Sequence, residues 1–523
     1  MLGERTIGAL HGWVSLLLLG PPLLLVGCAV GPDFKTPDVN VPESWQTTDD
    51  AHIARTATDA LWWKAFDDPA LDRLVELAYG QNLPLQIAGL RIMEARAQLA
   101  IATGEQYPQV QQAFASALAA GLSKNAPIAA GIPRYLGDYR IGFDAAWELD
   151  FWGKYRRGVQ AAAASMLSSV ADYYAALVSL TAEVARTYVV IRTFEVLIDL
   201  IQENVRLQED GLKIAESRFH NGATSELDPT QATTLLEGTR ASIPPLQTSL
   251  QQARNALSTL LGQPTGTVEA LITGPAAIPR APATVAVGLP AEMLRRRPDI
   301  RRAELNAAAQ CARIGVAKAD LYPSFSLAGT IGLETATTAA GTPNLFSLNG
   351  IFFNAGPRIS WPFFNYGRLT NAVRVQDARF EELLVAYHDT VLRAAQEVQD
   401  ALTGFVNARQ AVVFSQNAVK SAERSEELAL AEYREGATGY ERVLDAQRAL
   451  LEQQNNLAQS SSSVATDLIA LYKALGGGWE VRQRQPFIPE GTVREMKERT
   501  NWGDMLSQPP ASDPAKGQPP AKP

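Results

Sequence analysis

Two long stretches of the chain carry apolar residues at helical spacing and contain almost no helix-breaking residue. The first covers 159–220, and the second covers about 369–435 and is interrupted only by Gly404. Ordinary globular helices have about 8–20 residues, so stretches of this length predict coiled-coil or tubular packing. Each stretch ends near a glycine, Gly222 or Gly436, as expected just after a helix C-terminus, and a return helix follows.

Shorter segments between the helices alternate apolar and polar residues, which is typical of a strand with two different faces. Every odd-numbered residue of 139–149 is apolar, whereas the even-numbered ones are charged or small. Segments 325–333 and 353–363 alternate in a similar way, and 112–119 alternates only weakly. One interpretation is an antiparallel sheet with one face on a core. The other is a membrane barrel, apolar towards lipid and polar towards a lumen. The charges that recur on one face of 139–149 favour the barrel.

The number of predicted strands decides how such a barrel is built. Four strands of about ten residues can cross an outer membrane, but the smallest closed barrels have about eight strands. An open edge in lipid leaves unpaired backbone groups that cost several kcal/mol each. Several copies must therefore share one barrel. Two copies would give about eight strands with a filled interior, and three would give about twelve with a water-filled lumen. The polar inner faces favour three.

The predicted elements occur twice at a nearly constant interval. The matched pairs are Pro84 and Pro298, Trp147 and Trp361, and Gly222 and Gly436, each 214 positions apart (298 − 84). A solenoid unit has about 20–50 residues, so this repeat is a doubled domain instead. The predicted organisation begins with a signal peptide at 1–27 and a lipidated arm at 28–70. The first repeat is 71–262, with a hairpin near 107–150, and an equatorial linker at 263–297 follows it. The second repeat is 298–478, with a hairpin near 322–364, and it is followed by a C-terminal equatorial segment at 479–505 and a disordered tail at 506–523.

The N-terminus has the pattern of an export signal. Residues 13–26 are mostly apolar but are too short, and too broken by two prolines, to form a spanning helix. The following Gly27-Cys28 resembles the cleavage site of bacterial lipoproteins, which implies a diacylglycerol and an N-acyl chain on Cys28. Ala29 in the next position fits sorting to the outer membrane. The alternative is a chance cysteine after a leucine run.

Composition and motifs argue against several other classes of protein. The chain is 46% hydrophobic and 20% charged, and its net charge of −8 gives no electrostatic footprint for nucleic acid. It contains neither a P-loop motif nor an H-E-x-x-H motif, and His52, His220 and His388 are far apart. Cys311 is the only other cysteine, so we expect a buried, inert thiol and no disulfide. We therefore expect neither an enzyme nor a cofactor or metal beyond the lipid on Cys28.

Several segments together resemble the TolC-like outer-membrane factors, most closely the NodT-type lipoproteins of RND tripartite efflux systems. They are CAVGPDFKTP, WWKAFDDPALDRLVELA, GLPAEMLRRRPDIRRAE, LLGQP, LYKALGGGW and the tip motif GATGYERVLDAQR. The resemblance covers nearly the whole mature chain except the tail. It implies an α+β membrane protein, a homotrimer that shares a 12-stranded β-barrel and continues as a long periplasmic α-helical barrel.

The same resemblance implies a function and its partners. It implies a passive exit duct for drugs, metals or other small molecules, which opens when a periplasmic adaptor and an inner-membrane RND pump engage it. The protein would be lipid-anchored in the outer membrane and extend into the periplasm. Two alternatives are a type I secretion duct and a structural periplasmic coiled-coil lipoprotein, although the latter does not explain the strands.

The tip that follows Gly436 is the candidate gate. Glu441, Asp445 and Arg448 have i, i+4, i+7 spacing and therefore lie on one helical face. In a trimer, each would form a ring of three around the lower mouth. The resemblance implies that Asp445 and Arg448 line the closed aperture and that Tyr433 latches neighbouring helices. The alternative is a solvated helix face with ordinary charges.

The two glycine turns are the candidate surfaces for docking the adaptor. The residues concerned are Gly222, Ser225, Gly436 and Thr438, whose small side chains let another helical hairpin approach closely. The alternative interpretation of the first turn is a simple helix start, since Asp228 followed by proline is favoured there.

Overall fold

The structure is a computed structural model. It describes residues 29–39, 44–46, 53–54, 59–123, 125, 134–288, 296–337, 341–342 and 344–506. The predicted signal peptide, the predicted lipidation residue Cys28 and the predicted tail beyond Leu506 lie outside the described residues. The chain divides into two compact units. The first is Met1–Thr36, Ala95–Met166 and Leu305–Leu384, and the second is Pro37–Glu94, Leu167–Glu304 and Val385–Pro523, so each unit takes parts of both repeats.

In both halves of the chain, the described residues form a hairpin of two sheet strands after a helical segment, then a long helix and a helical return. The helices are α1 (Pro69–Gln81), α2 (Leu83–Gly104), α3 (Lys154–His220), α4 (Leu227–Ala241), α5 (Ile243–Leu260), α6 (Pro298–Ala319), α7 (Arg368–Glu435), α8 (Tyr440–Ala474) and α9 (Glu490–Arg499). The strands are β1 (Ile53–Ala54), β2 (Val110–Gly121), β3 (Tyr135–Leu149), β4 (Val285–Ala286), β5 (Ser324–Ala336) and β6 (Ile351–Ser360).

The two long helices were predicted almost to their ends. Helix α3 has 67 residues and α7 has 68. Gly404 does not interrupt α7. A Cβ at this position would lie 3.1 Å from Oδ2 of Asp467 on α8, so the glycine leaves room for that side chain. Among the described residues, no helix is both long and apolar enough to cross a membrane.

Two shorter helical stretches are each divided into two helices. Helix α2 is separate from α1, because Asn82 caps it by accepting from the Leu85 amide at 2.8 Å. Near Pro244-Pro245 the chain has a helix boundary, since α4 ends at Ala241 and α5 begins at Ile243. Both prolines lie in the first turn of α5, where a helix leaves amide protons unpaired in any case.

The first unit contains the predicted strands as one antiparallel sheet in the order β2-β3-β5-β6. Its strands have 12, 15, 13 and 10 residues. Register places Phe143 opposite Ile331 and Ile331 opposite Phe353, which makes one apolar row across three strands. All three side chains are exposed, with Phe353 at 75%, so this chain does not bury them in a core of its own. The sheet therefore has the apolar, uncovered face that a lipid-facing barrel needs.

The opposite face of the sheet is polar, and its side chains bind one another. Asp144 accepts hydrogen bonds from Gln112 at 3.1 Å and from Thr330 at 2.7 Å. Nearer the end of the same strand, Arg140 pairs with Asp138 at 3.0 Å and with Glu334 at 2.9 Å. Charged residues thus have partners on this face and lie away from the apolar one.

A buried arginine joins three helices of the second unit. Arg297, just before α6, donates to the Ala474 carbonyl at the end of α8, and its guanidinium pairs with Asp299 at 2.7 Å and with Glu397 of α7 at 2.8 Å. Burial raises the pKa of Asp299, but the hydrogen bond and charge of Arg297 outweigh it, and the pKa is lowered overall. The RRPDI segment thus has a structural role: it fastens α6 to the long hairpin.

Candidate gating and docking site

Helices α3 and α7 end in turns with the same hydrogen-bonding pattern. The amide of Gly222 donates to Phe219 O at 2.9 Å and that of Ala223 to Arg218 O at 2.9 Å. After α7, Gly436 donates to Tyr433 O at 3.0 Å and Ala437 to Glu432 O at 2.9 Å. This is the Schellman motif, which requires positive φ at the glycine. Gly222 has φ 71° and Gly436 has φ 77°, so glycine is needed at both tips.

Tyr433 lies at the centre of a small core between the two tips. Its ring is fully buried and packs edge-on against Tyr440, with ring centroids 5.0 Å apart. Its hydroxyl donates to Oδ2 of Asp228, in the first turn of α4, at 2.9 Å. Burial and the hydrogen bond to Asp228 raise the pKa of Tyr433 to about 12. The phenol therefore stays protonated at neutral pH and remains a donor, so it links α7 to α4.

A second link between the tips comes from Arg218, near the end of α3. It donates to the carbonyl oxygens of Tyr433 and Arg434 in the last turn of α7, where carbonyl groups lack helical partners, and Tyr433 O also accepts from the Gly436 amide. Its guanidinium also lies over the Tyr433 ring, 4.7 Å from the centroid. A cation at this position interacts favourably with the negative end of the helix dipole and with the aromatic face. The two tips are thus held together by Tyr433 and Arg218 within one chain.

The predicted gate residues share one exposed face of α8. Glu441, Asp445 and Arg448 are exposed, whereas Val443 and Leu444 are buried in the tip core. Arg448 and Asp445 approach to 3.6 Å, with side chains 59% and 70% exposed. Such a pair within one helix contributes less than about 1 kcal/mol. The shared face is as predicted, and its role at an aperture stays a prediction.

The predicted docking residues form the exposed surface of the two turns. Gly222, Ser225 and Gly436 are exposed, and Thr438 is half-buried. A Cβ at Gly222 would meet no heavy atom within 4 Å, so the first turn leaves open space around its glycine. A Cβ at Gly436 would meet Arg218 at 3.3 Å. The first turn is therefore the more open of the two.

Sequence reasoning missed the roles of Asp228 and Arg218. The repeat itself contained a signal, because the interval of 214 aligns Arg218 with Glu432 and Asp228 with Arg442. Charge reverses at both positions between the two tips. This reversal marks the two positions as ones where the two turns are not equivalent.

Comparisons with known proteins agree with this architecture. The profile of the outer membrane efflux protein family matches residues 74–263 and 289–477. The pyoverdine export outer membrane protein OpmQ of Pseudomonas putida is 32% identical over 89% of this chain and 97% of its own. Nodulation protein T of Rhizobium leguminosarum bv. trifolii is 29% identical over 87% and 96%. The solved outer-membrane channel OprN has a TM-score of 0.80 at 31% identity and covers 87% of this chain and 100% of its own.

This chain belongs to the outer membrane efflux protein family. It is a NodT-type outer-membrane factor with the α+β fold of the TolC-like channels. The predictions of family, fold class, outer-membrane location and efflux function are confirmed at this level. The two matched segments begin 215 residues apart (289 − 74) and end 214 apart (477 − 263), close to the interval of the sequence repeat. By their names, OpmQ is an export outer membrane protein and OprN is an outer-membrane channel.

Proposed function

We propose that three copies of this chain form one passive exit duct, which a periplasmic adaptor and an inner-membrane RND pump engage at the helix tips. The supporting observation is the incomplete sheet of the first unit. Its four strands end in two edges, β2 and β6, and its apolar face is uncovered. An edge in hydrocarbon costs several kcal/mol per unpaired group, so β6 of one copy pairs with β2 of the next. Three copies give about twelve strands, enough for a polar lumen.

Reconstitution tests this function directly. We expect the purified protein to form ion-conducting pores in planar bilayers and to migrate as an oligomer in SDS without boiling. A protein that enters the bilayer fraction but never conducts, in any buffer or with its tip residues replaced, would contradict the duct. A type I secretion duct would conduct too, and complementation of a strain that lacks its efflux factor separates the two.

The tips close the duct in this proposal. Asp445 and Arg448 of each copy are exposed within one chain, which supports a role in contacts between copies. Each such pair contributes little, up to about 1 kcal/mol. A few pairs in three copies hold the resting tips together, yet adaptor binding can overcome them. The proposed lipid on Cys28 anchors the assembly.

Removing the aperture charges is expected to open the duct. We predict that Asp445→Ala with Arg448→Ala raises single-channel conductance in planar bilayers, because no charged ring then restrains the tips. Arg424→Ala with Glu427→Ala is the matched control, since these residues form an exposed i, i+3 pair on α7 at 2.9 Å. Equal conductance of the aperture variant and the wild type would refute the aperture assignment.

Breaking the contact between the tips is also expected to raise conductance. Tyr433→Phe removes one hydrogen bond and leaves the Asp228 carboxylate without its phenol, at a cost of about 1–2 kcal/mol. We expect a larger fraction of time in high-conductance states, with the pore itself intact. Asp228→Asn keeps an acceptor for Tyr433, so its fraction of time in high-conductance states should lie between those of the wild type and Tyr433→Phe. The link has no gating role if Tyr433→Phe conducts like the wild type while still losing thermal stability.

A further inference from the structure

The two hairpins of the sheet repeat the same internal contact. The Trp147 indole donates to the Gln106 carbonyl at 3.1 Å in the first hairpin. The Trp361 indole donates to the Leu321 carbonyl at 3.1 Å in the second hairpin. Trp147 and Trp361 are 214 positions apart, and Gln106 and Leu321 are 215 apart (321 − 106). The sequence repeat is therefore also a repeat of contacts at the end of the sheet that adjoins the helices.

The strand registers of the two hairpins repeat as well. Gln112 of β2 pairs with Asp144 of β3, and Ser326 of β5 pairs with Arg358 of β6. Both members of the second pair lie 214 positions after those of the first (326 − 112 and 358 − 144). The hairpins are therefore equivalent units. In the proposed shared barrel, such units meet at two kinds of junction: β3 beside β5 within one chain, and β6 beside β2 of the neighbouring copy.

The junction within one chain is held by a ring stack, a hydrogen bond and an ion pair. Trp152, which follows β3, stacks on Tyr322, which precedes β5, with ring centroids 4.6 Å apart. The same indole donates to the Pro323 carbonyl at 2.8 Å. Lys154, in the first turn of α3, pairs with Asp320 at 2.9 Å. These contacts join the end of the first hairpin to the start of the second.

The repeat places matching residues at the two edges of the sheet. The residues that correspond to the stack and the ion pair are Tyr366 and Arg368 after β6, and Tyr107 and Glu105 before β2. Tyr366 is fully exposed and Tyr107 is 61% exposed. Arg368 and Glu105 are exposed too, and neither forms an ion pair with another residue that the structure describes. The groups that hold the internal junction, with the same signs of charge, are thus exposed at both edges.

We propose that the junction between copies is built like the junction within the chain. Tyr366 of one copy stacks on Tyr107 of the neighbouring copy, and Arg368 pairs with Glu105 of that copy. This inference rests on the proposed shared barrel and names the contacts that close it. The interface is heterologous, because each copy contributes two different edges, so the series of contacts ends only when a ring closes.

The same interval fixes the strand register of that junction. Within the chain, Ala145 of β3 lies opposite Gly329 of β5. A shift of 214 turns this pair into Ile359 of β6 opposite Ala115 of the neighbouring β2 (145 + 214 and 329 − 214). Both residues are apolar and exposed, and a slip by one position would bring opposite faces of the two strands together. The register therefore continues the apolar surface from one copy to the next.

Cysteine cross-linking in the full chain tests the proposed junction. Glu105→Cys and Arg368→Cys are made singly and together, and outer membranes are treated with a short bismaleimide and then boiled in SDS. The double variant should give covalent dimers and trimers, whereas the wild type and both single variants should give monomers. Lys154→Cys with Asp320→Cys is the matched control, because that pair lies within one chain. It should cross-link at monomer mass, as peptide mass spectrometry would show.

The outcomes separate this inference from the proposed function. Oligomers that resist SDS before boiling, but give no covalent dimer in the double variant, would overturn the inference and leave the shared barrel standing. Covalent dimers of a single variant would also overturn it, because like residues would then meet across a twofold interface. A wild type that forms no oligomer would contradict the proposed function, and this inference with it.

Exchange of the two charges tests the ion pair itself. Arg368→Glu alone, or Glu105→Arg alone, places like charges at every junction of the ring. The fraction of SDS-resistant oligomer should fall at least about fivefold in each, since exposed pairs that are weak singly are lost at all junctions together. The double variant restores opposite charges and should regain the wild-type fraction, because the two residues are coupled. A double variant as defective as the single ones would refute the pair.

Discussion

Phe353→Arg is expected to abolish assembly of the membrane-embedded sheet. Phe353 lies on the uncovered apolar face, in the row with Ile331 and Phe143, and the Phe143–Ile331 pair is halfway along the register of β3 and β5. Arginine at the bilayer midplane on a lipid-facing position costs about 2–4 kcal/mol per chain. Each chain of a shared barrel carries the same cost. We expect the fraction of SDS-resistant oligomer in outer membranes to fall by at least about tenfold, since 1.4 kcal/mol already corresponds to that factor.

The next residue of the same strand provides the control. Asn354 pairs in register with Thr330 and points to the polar face, where Asp144 also lies. Arginine there meets polar and acidic neighbours, so Asn354→Arg should assemble like the wild type. The assignment of faces fails if both variants assemble equally well, or if Asn354→Arg is the more damaging of the two.

Arg297→Met is expected to cause the largest loss of stability in the helical part. It leaves the Asp299 carboxylate and the Ala474 carbonyl without the guanidinium that binds them. Removing one partner of a buried pair typically costs about 3–5 kcal/mol. Glu397 is half exposed and can be solvated, so we expect about 3 kcal/mol, near the lower end. The measurement is denaturant unfolding of the detergent-solubilised protein, followed by helical circular dichroism.

Acid should reduce this difference in stability between the variant and the wild type, because the pair with Asp299 is lost while the bond to the Ala474 carbonyl remains. The folded pKa of Asp299 is lowered, so the stability from its pair with Arg297 is fully present above the unfolded value, about 3.9, and is lost as the pH falls through the folded one. Arg296→Met is the control, because Arg296 is partly exposed and pairs with Glu480 at the surface. It should lose less than about 1 kcal/mol. A loss equal to that of Arg297→Met would contradict the role of the buried arginine.

The strands and long helices were predictable because their signals are local. Alternation of apolar and polar residues defines the two faces of β3 before any partner is known, and the register with β5 and β6 then brings like faces together. Strand β2 gave a weak signal because Ala113, Ala115 and Ala117 fill one of its faces. The absence of proline gave the extent of α3 and α7, since proline is the strongest helix breaker.

Contacts between distant parts of the chain were not predictable in the same way. Tyr433 and Asp228 are 205 residues apart, and nothing in either segment alone indicates the hydrogen bond between them. Gly404 was interpreted as an interruption, whereas it lies within a continuous helix and close to Asp467 in another helix. Asn82 divides a continuous apolar pattern because a side chain competes for the backbone amide of Leu85. Each of these features depends on which helices become neighbours.

The roles of the tip residues also depend on neighbours that one chain does not contain. Asp445 and Arg448 share an exposed face, as predicted from their spacing, but a ring around an aperture needs three copies. The boundaries of the two repeats likewise stay predictions. Both compact units draw on both repeats, so the repeat does not by itself define the units.

Native mass spectrometry of the purified protein, released gently from detergent, is the most direct test of the central claim. That claim is that the four-stranded sheet of one chain is incomplete without further copies. The account predicts a single species with the mass of three acylated chains, which separates only on boiling or strong activation. A folded monomer that persists after detergent removal, or a closed dimer, would contradict it, because four strands would then have covered their own edges.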